Sequence, residues 1–201
     1  MKVQSIAEIK DLLKNCRATH VQNVAPTGFY QLKAHAVRFP DGRLETREYL
    51  DKKPAAVVLP ITTEGNIVFV VQPISNVAEG SLLELPAGYS NSDEPPQATA
   101  VRELLEETGY SPTRVESLSF HYQDPGLIRE PVHTFIAFGC QKTDPQKLDH
   151  GEYIKYLEIP PHFIPELTKT QLLLDSNTIN ALYHALILEK LSFDFVQKEI
   201  S

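Results

Sequence analysis

The sequence predicts an α/β protein: a mixed sheet with a helix on each face, preceded by a small β-rich element over residues 1–52, the main domain running from 53 to 201. Three observations carry this. Apolar, β-branched runs at Ala55–Ile61 and Asn66–Gln72 have the length of buried strands and meet at a turn-forming Thr63-Glu64-Gly65. Residues 95–108 show helical spacing between a proline start and a glycine stop. Thr178–Leu191 shows helical spacing again after several more strand-like runs, the pattern of a sheet covered on two faces.

In chain order, Ile6, Ile9, Leu12 and Leu13 recur at helical spacing and predict a short helix over Ser5–Leu13. His20–Val24 and Phe29–Phe39 read as strands, Pro40-Asp41-Gly42-Arg43 as a turn, and Glu45–Leu50 as an antiparallel return. Ser81–Glu84 leads into the glycine at 88. For the helix at 95–108, Asp93 is the expected N-cap, Pro95 or Pro96 suits the first turn, and Gly109 suits the position just past the end. Its apolar side, Ala98, Val101 and Leu105 with Leu104 at the flank, is expected to face the core. Later strands are expected at Arg114–His121, Val132–Cys140 and Tyr153–Glu158, and helices at His162–Thr168, despite Pro165, and Thr178–Leu191.

The other side of the helix at 95–108 carries Glu103, Glu106 and Glu107, spaced three and four apart and therefore on one face. Like charges so placed weaken a helix by about 0.2–0.5 kcal/mol per pair. One reading is a solvated acidic surface. The other is a site for a hard divalent cation, which wants oxygen ligands.

The wider segment separates the two. Gly88, five residues, Glu94, seven residues, then Arg102-Glu103-Leu104-x-Glu106-Glu107-x-Gly109-Tyr110 resembles the Nudix box, with Tyr110 the one departure, aromatic where the pattern prefers an aliphatic residue. Seven positions specified this tightly arise by chance on the order of once in 10⁹ windows. The resemblance implies an α/β/α sandwich and a hydrolase of nucleoside diphosphate-linked compounds that uses Mg²⁺ or Mn²⁺. It implies Glu103 and Glu107 as main metal ligands, Glu106 as a direct or water-mediated one, and the Ala87 carbonyl beside them. Arg102 is expected to orient the glutamates, Glu94 to brace the loop, and Gly88 and Gly109 to shape the motif.

Other segments resemble the ADP-ribose and nucleotide-sugar pyrophosphatase branch, over residues 25–190. They are Glu84-Leu85-Pro86-Ala87-Gly88, the hairpin Phe39–Tyr49, Pro125 placed sixteen residues past Gly109, Asp124–His133, and Asp175–Leu182. Gln72-Pro73-Ile74 stands where relatives commonly carry Gln-x-Arg, Asp124 replaces a serine, and Leu148–Glu152 replaces an acidic stretch. Arg47, Gln72, Pro125 and Glu130 are the expected substrate contacts, with Arg47 weighed against an ordinary strand ion pair. Glu152, His150 and Glu130 are the candidates for the general base. Phe29 or Tyr30 stacks on a base or is core. In related pyrophosphatases the N-terminal element pairs across a homodimer, which is the expectation here; the alternative is a monomer with the hairpin folded back.

Bulk properties fit a globular protein: 42% apolar and 22% charged residues, and a net charge of −7 from 19 basic against 26 acidic residues. That balance argues against non-specific nucleic-acid binding. No apolar run reaches membrane-spanning length, and Met1–Cys16 lacks the apolar segment of a secretory signal. A cytoplasmic protein with two reduced thiols, Cys16 and Cys140, is expected, a single bridge being the alternative. The expected activity is metal-dependent cleavage of ADP-ribose or a similar compound to AMP and a sugar phosphate. The competing readings are a pyrophosphatase of another nucleotide sugar and a non-catalytic, nucleotide-sensing Nudix-like module.

Overall fold

The computed structural model describes residues 2, 5–12, 30–74, 76, 77 and 80–192. The expected strand at 20–24, Phe29, the helix end at Leu13 and Cys16 lie outside them. Helix α1 is Ile6–Leu12. Strands β1 (Tyr30–Arg38) and β2 (Leu44–Lys52) form the expected hairpin, in register from Tyr30↔Lys52 to Arg38↔Leu44. There follow β3 (Ala55–Thr62), β4 (Ile67–Pro73), β5 (Ser81–Glu84), β6 (Ala87–Tyr89), helix α2 (Pro96–Thr108) and β7 (Tyr110–Ser111). Then come β8 (Arg114–Tyr122), β9 (Ile128–Arg129), β10 (Pro131–Lys142), β11 (Lys155–Ile159), a 3₁₀ turn at Pro161–Phe163, α3 (Ile164–Lys169) and α4 (Ser176–Ile187).

The main sheet runs β11-β4-β3-β10-β7, with β5 on β4, β6 on β3 and β8 on β10. It is mixed: β3 and β10 run parallel from Ala55↔Val132, while their other neighbours are antiparallel. Alternation along the strands makes two cores. Ala55, Val57, Leu59, Ile67, Phe69 and Val71 face Ala181, Leu182 and Ala185 of α4, together with Leu167 of α3 and Ile9 of α1. Ala56, Val58 and Val68 face Ala100 and Leu104 of α2. Burying Leu104 in full contributes about 1.5–3 kcal/mol. This is the predicted α/β sandwich. A second sheet, β1-β2-β9, carries β9 parallel to β2 through Leu50↔Ile128 and Asp51↔Arg129.

Helix α2 differs from expectation in two respects. Its N-cap is Pro95, with no side-chain cap, and Asp93 instead sits in the left-handed region at φ 63°. Its buried residues are Thr99, Ala100, Leu104, Glu107 and Thr108, while Ala98 is exposed and Val101 and Leu105 are half-buried. The helix is rotated toward β6, so that one of its glutamates enters the packed face. Its other end is as expected: Gly109 adopts φ 75° and its N–H donates to Leu105 O. A side chain there would also meet Asp144 O at 2.1 Å, so the next loop approaches the helix end closely.

Tyr110 tolerates its aromatic ring for a visible reason. It is buried, packs edge-on to Tyr156 at 5.8 Å, and donates its hydroxyl to Glu158 Oε1 at 2.8 Å. Helix α4 is capped by Asp175, which accepts the Thr178 N–H at 2.7 Å. It ends at Ile187, before the expected Leu191, because Glu189 turns left-handed and Lys190 N–H returns to Ala185 O. Cys140 is a free, buried thiol, its pKa pushed up to about 12 by burial.

Candidate active site

Strand β6 and helix α2 bring the box residues together. Arg102 is the hub. Its Nε and Nη2 donate to Glu94 at 2.9 and 3.0 Å, its Nη1 to Glu103 Oε1 and Glu106 Oε2 at 2.8 Å each, and its Nη2 to Tyr89 O at 3.1 Å. Glu94 also accepts the Asn91 N–H and the Thr99 hydroxyl at 3.0 Å, so it braces the loop and the first turn of α2. The Arg102 guanidinium, then the Asn91 N–H, hold its carboxyl down to about 2. The gathered carboxylates in turn push the Arg102 pKa up, with Glu94 foremost.

Gly88 faces Glu103 across this cluster. A Cβ on Gly88 would lie 2.0 Å from Glu103 Oε1, so only glycine lets the carboxylate rest against β6. Glu107 is 4% exposed and accepts the Ala87 N–H at 3.2 Å. Burial, then the charge of Glu103, pushes its pKa well above the usual carboxylate range. Burial also raises that of Glu103, against the pull of Arg102.

Among the described residues no three His, Cys, Asp or Glu side chains are already grouped as a cation cage, and Arg102 holds Glu103 Oε1 and Glu106 Oε2. Arg102 leaves the second oxygen of each of these carboxylates untouched. The donor set of Glu103, Glu106 and Glu107 is all oxygen, which suits Mg²⁺ or Mn²⁺. The buried Glu107, beside a second carboxylate and far from Arg102 in its bonding, is the group a cation would neutralise.

Glu152 lies in the loop between β10 and β11, exposed, with Oε2 accepting the Asp149 N–H at 2.9 Å. Its charge acts on both Glu103 and Glu107. His150 is exposed in the same turn. Glu130 makes a different set of contacts. It is 4% exposed and paired with Lys52 Nζ at 2.7 Å, beside Tyr89, whose ring lies 5.1 Å from that ammonium. Lys52 was not singled out in the sequence; its partner is remote in the chain and nothing local signals it.

Arg47 and Pro125 share a cleft of about 450 Å³, with His35, Tyr49, Tyr122 and Arg129. Arg47 has no carboxylate partner among the described residues and lies 5.6 Å from the Phe39 ring, so the strand ion pair is not formed. Arg129 is bidentate to Asp51 at 2.6 and 2.7 Å, which ties the Pro125 loop to the hairpin.

Gln72 is not in that cleft. Its side-chain amide donates to Glu84 Oε2. Burial raises the Glu84 pKa from 4.5 to about 7, against the pull of Gln72 and with a smaller push from Asp175. The folded protein therefore keeps a proton that the unfolded chain has released. That contribution is complete below about pH 4.5 and is lost as pH rises through about 7. In chelator, the melting temperature of Glu84→Gln should fall less than that of the wild type across this interval. Parallel pH profiles for the two proteins would contradict it.

A family model described as the NUDIX domain matches residues 51–172. The ADP-ribose pyrophosphatase of Bacillus subtilis (strain 168) is 31% identical over 156 residues, 77% of this chain and 84% of the relative. A methanol dehydrogenase activator of Bacillus methanolicus is 33% identical over 162 residues, 80% and 87% of the two chains. The GDP-mannose pyrophosphatase of Escherichia coli (strain K12) is 31% identical over 144 residues, 66% and 73%. In fold, the crystal structure of an ADP compounds hydrolase superposes with a TM-score of 0.69 at 18% identity, covering 86% of this chain and 92% of that one. With its box folded about Arg102 and a family match across the whole catalytic sheet, the chain belongs to the NUDIX domain family.

Proposed function

We propose that the protein hydrolyses the pyrophosphate bond of ADP-ribose or a similar nucleoside diphosphate-linked compound, giving AMP, or another nucleoside monophosphate, and a sugar phosphate. The observation that carries this is the complete carboxylate set, Glu103, Glu106 and Glu107, gathered between Arg102 and β6. A sensing module would not need all three. Glu103, Glu106, Glu107 and the Ala87 carbonyl would hold Mg²⁺ or Mn²⁺. Such an ion, when bound, neutralises pyrophosphate charge and favours ionisation of a water.

The chain's own residues do the rest. Glu152 takes the proton of the attacking water, as the oxygen–phosphorus bond forms and the bridging phosphorus–oxygen bond breaks. Arg102 and Glu94 keep the α2 carboxylates in place. The cleft at Arg47 and Pro125 offers the aromatic rings of Tyr49 and Tyr122, with His35, to a base, and the Arg47 guanidinium to anionic oxygens, Arg129 being held by Asp51.

The protein should release nucleoside monophosphate from ADP-ribose, GDP-mannose or another sugar nucleotide only when Mg²⁺ or Mn²⁺ is present. No release from any of them would remove the proposal, and tight binding of ADP-ribose without turnover would point to the sensing module. A homodimer completes the proposal. No residue of β1 or β2 is buried and Leu32 and Leu44 are exposed, a hairpin short of the packing that such sheets need. A single-chain mass in sedimentation would remove that part. Among the described residues no helix is long and apolar enough to cross a membrane. A cytoplasmic location follows from the substrate class and the free thiol of Cys140, and recovery in the secreted fraction would count against it.

A further inference from the structure

The segment 143–154, which carries Glu152, has neither strand nor helix. A loop this long in a packed domain is uncommon unless it functions. Its near end is pinned to the end of α2. Thr143 and Asp144 N–H donate to Gly109 O at 2.9 and 3.2 Å, and Lys147 N–H donates to Glu106 O at 2.8 Å. These bonds stop five residues short of Glu152.

Gln146 reaches further. Its half-buried carboxamide Nε2 donates to Glu107 O at 2.5 Å and to Ile154 O at 3.2 Å. One nitrogen thus joins the backbone of an α2 glutamate to the far end of the loop. Inside that span Glu152 is tied to its own turn: Oε2 accepts the Asp149 N–H at 2.9 Å, and Glu152 N–H donates to Asp149 O at 3.1 Å. The turn lies in the chain between Gln146, anchored to α2 through Glu107 O, and Ile154, whose carbonyl the same nitrogen holds.

We propose that Gln146 is a positioning residue that sets Glu152 against the α2 carboxylates. The proposal rests on the reading of Glu152 as the general base. The residue type follows from the chemistry. Two N–H donors on one terminal nitrogen satisfy two carbonyl oxygens. Ionised glutamate has no donor and would repel both, and asparagine is one methylene too short to span them.

The test uses the intact chain with ADP-ribose and saturating Mg²⁺, in Gln146→Ala, Gln146→Asn, Glu152→Gln and the Gln146→Ala/Glu152→Gln double variant. Gln146→Ala should lower kcat by about 10–100-fold with KM changed less than about threefold, the usual scale for groups that orient a functional side chain. Gln146→Asn, too short to reach both carbonyls, should lose nearly as much as the alanine variant, and wild-type turnover in it would count against the proposal. In the Glu152→Gln background the alanine should cost nothing further, because both changes disable one device. Equal losses in both backgrounds, or none in the first, would overturn the proposal.

Glu152→Gln alone reports on the base, so a failure there is distinguishable from a failure of Gln146. Hydrogen exchange supplies a readout independent of turnover. The amides of 149–154 should exchange faster in Gln146→Ala, and unchanged protection would overturn the proposal whatever the activity.

Discussion

Glu107→Gln is expected to lower kcat by at least about 10²-fold, the scale of losing one strong electrostatic stabiliser. The substitution is nearly isosteric, and its amide oxygen still accepts the Ala87 N–H that Glu107 Oε2 now takes at 3.2 Å. What disappears is one negative charge at a site only 4% exposed. Burial and the neighbouring Glu103 already oppose that charge in the protein alone, so the fold should lose nothing. The variant should melt no lower than the wild type in chelator, while the rise in melting temperature on adding Mg²⁺ should shrink. Steady-state kinetics across a Mg²⁺ titration provide the decisive measurement. Near-normal turnover would show that Glu107 does not hold the ion, and with it the proposed ligand set would fall.

Gly88→Ala should produce a similar separation of stability from activity. The new Cβ would meet Glu103 Oε1 at 2.0 Å, Cδ at 2.1 Å and Oε2 at 2.7 Å. All three atoms are the end of a flexible side chain, and Gly88 is not among the glycines of positive φ. The backbone therefore accepts alanine, and the clash is relieved by swinging Glu103 away. That movement breaks its 2.8 Å bond to Arg102 and removes a carboxylate from the proposed ion site. Activity should fall about 10–100-fold, with a weaker Mg²⁺ dependence and a melting temperature close to the wild type's. Full activity would mean that the contact between β6 and Glu103 does not position the site.

Both expectations involve residues visible in the chain, yet neither mechanism was. The box, the bounds of α2 and the αL stop at Gly109 are local matters, decided by spacing and by residue type within a few positions. The hairpin, the paired strands at 55 and 67, and the two helical layers were legible for the same reason, since periodicity reports which face a segment buries. The periodicity overran the end of α4 and misled most at α2. It put Ala98, Val101 and Leu105 toward the core and all three glutamates on the open side, whereas Glu107 is buried with Leu104 and Ala98 is exposed. A helix pattern identifies an apolar stripe, but the rotation of the helix depends on what it packs against, here β6.

Other features depend on partners remote in sequence. Lys52 meets Glu130, Arg129 meets Asp51, and Gln146 reaches back to Glu107 and forward to Ile154. The cleft that unites Arg47 with Pro125 exists because β9 pairs with β2. Capping signals act over three or four residues and pointed to Asp93, whereas the carboxylate that braces the first turn of α2 is that of Glu94. Local composition was enough to specify the acidic chemistry and the layers of the fold. Which acid is shut away from water, which glutamine spans the loop and which cations meet in one cleft were settled by strand register and helix packing, because those contacts join segments whose separation along the chain leaves no local trace.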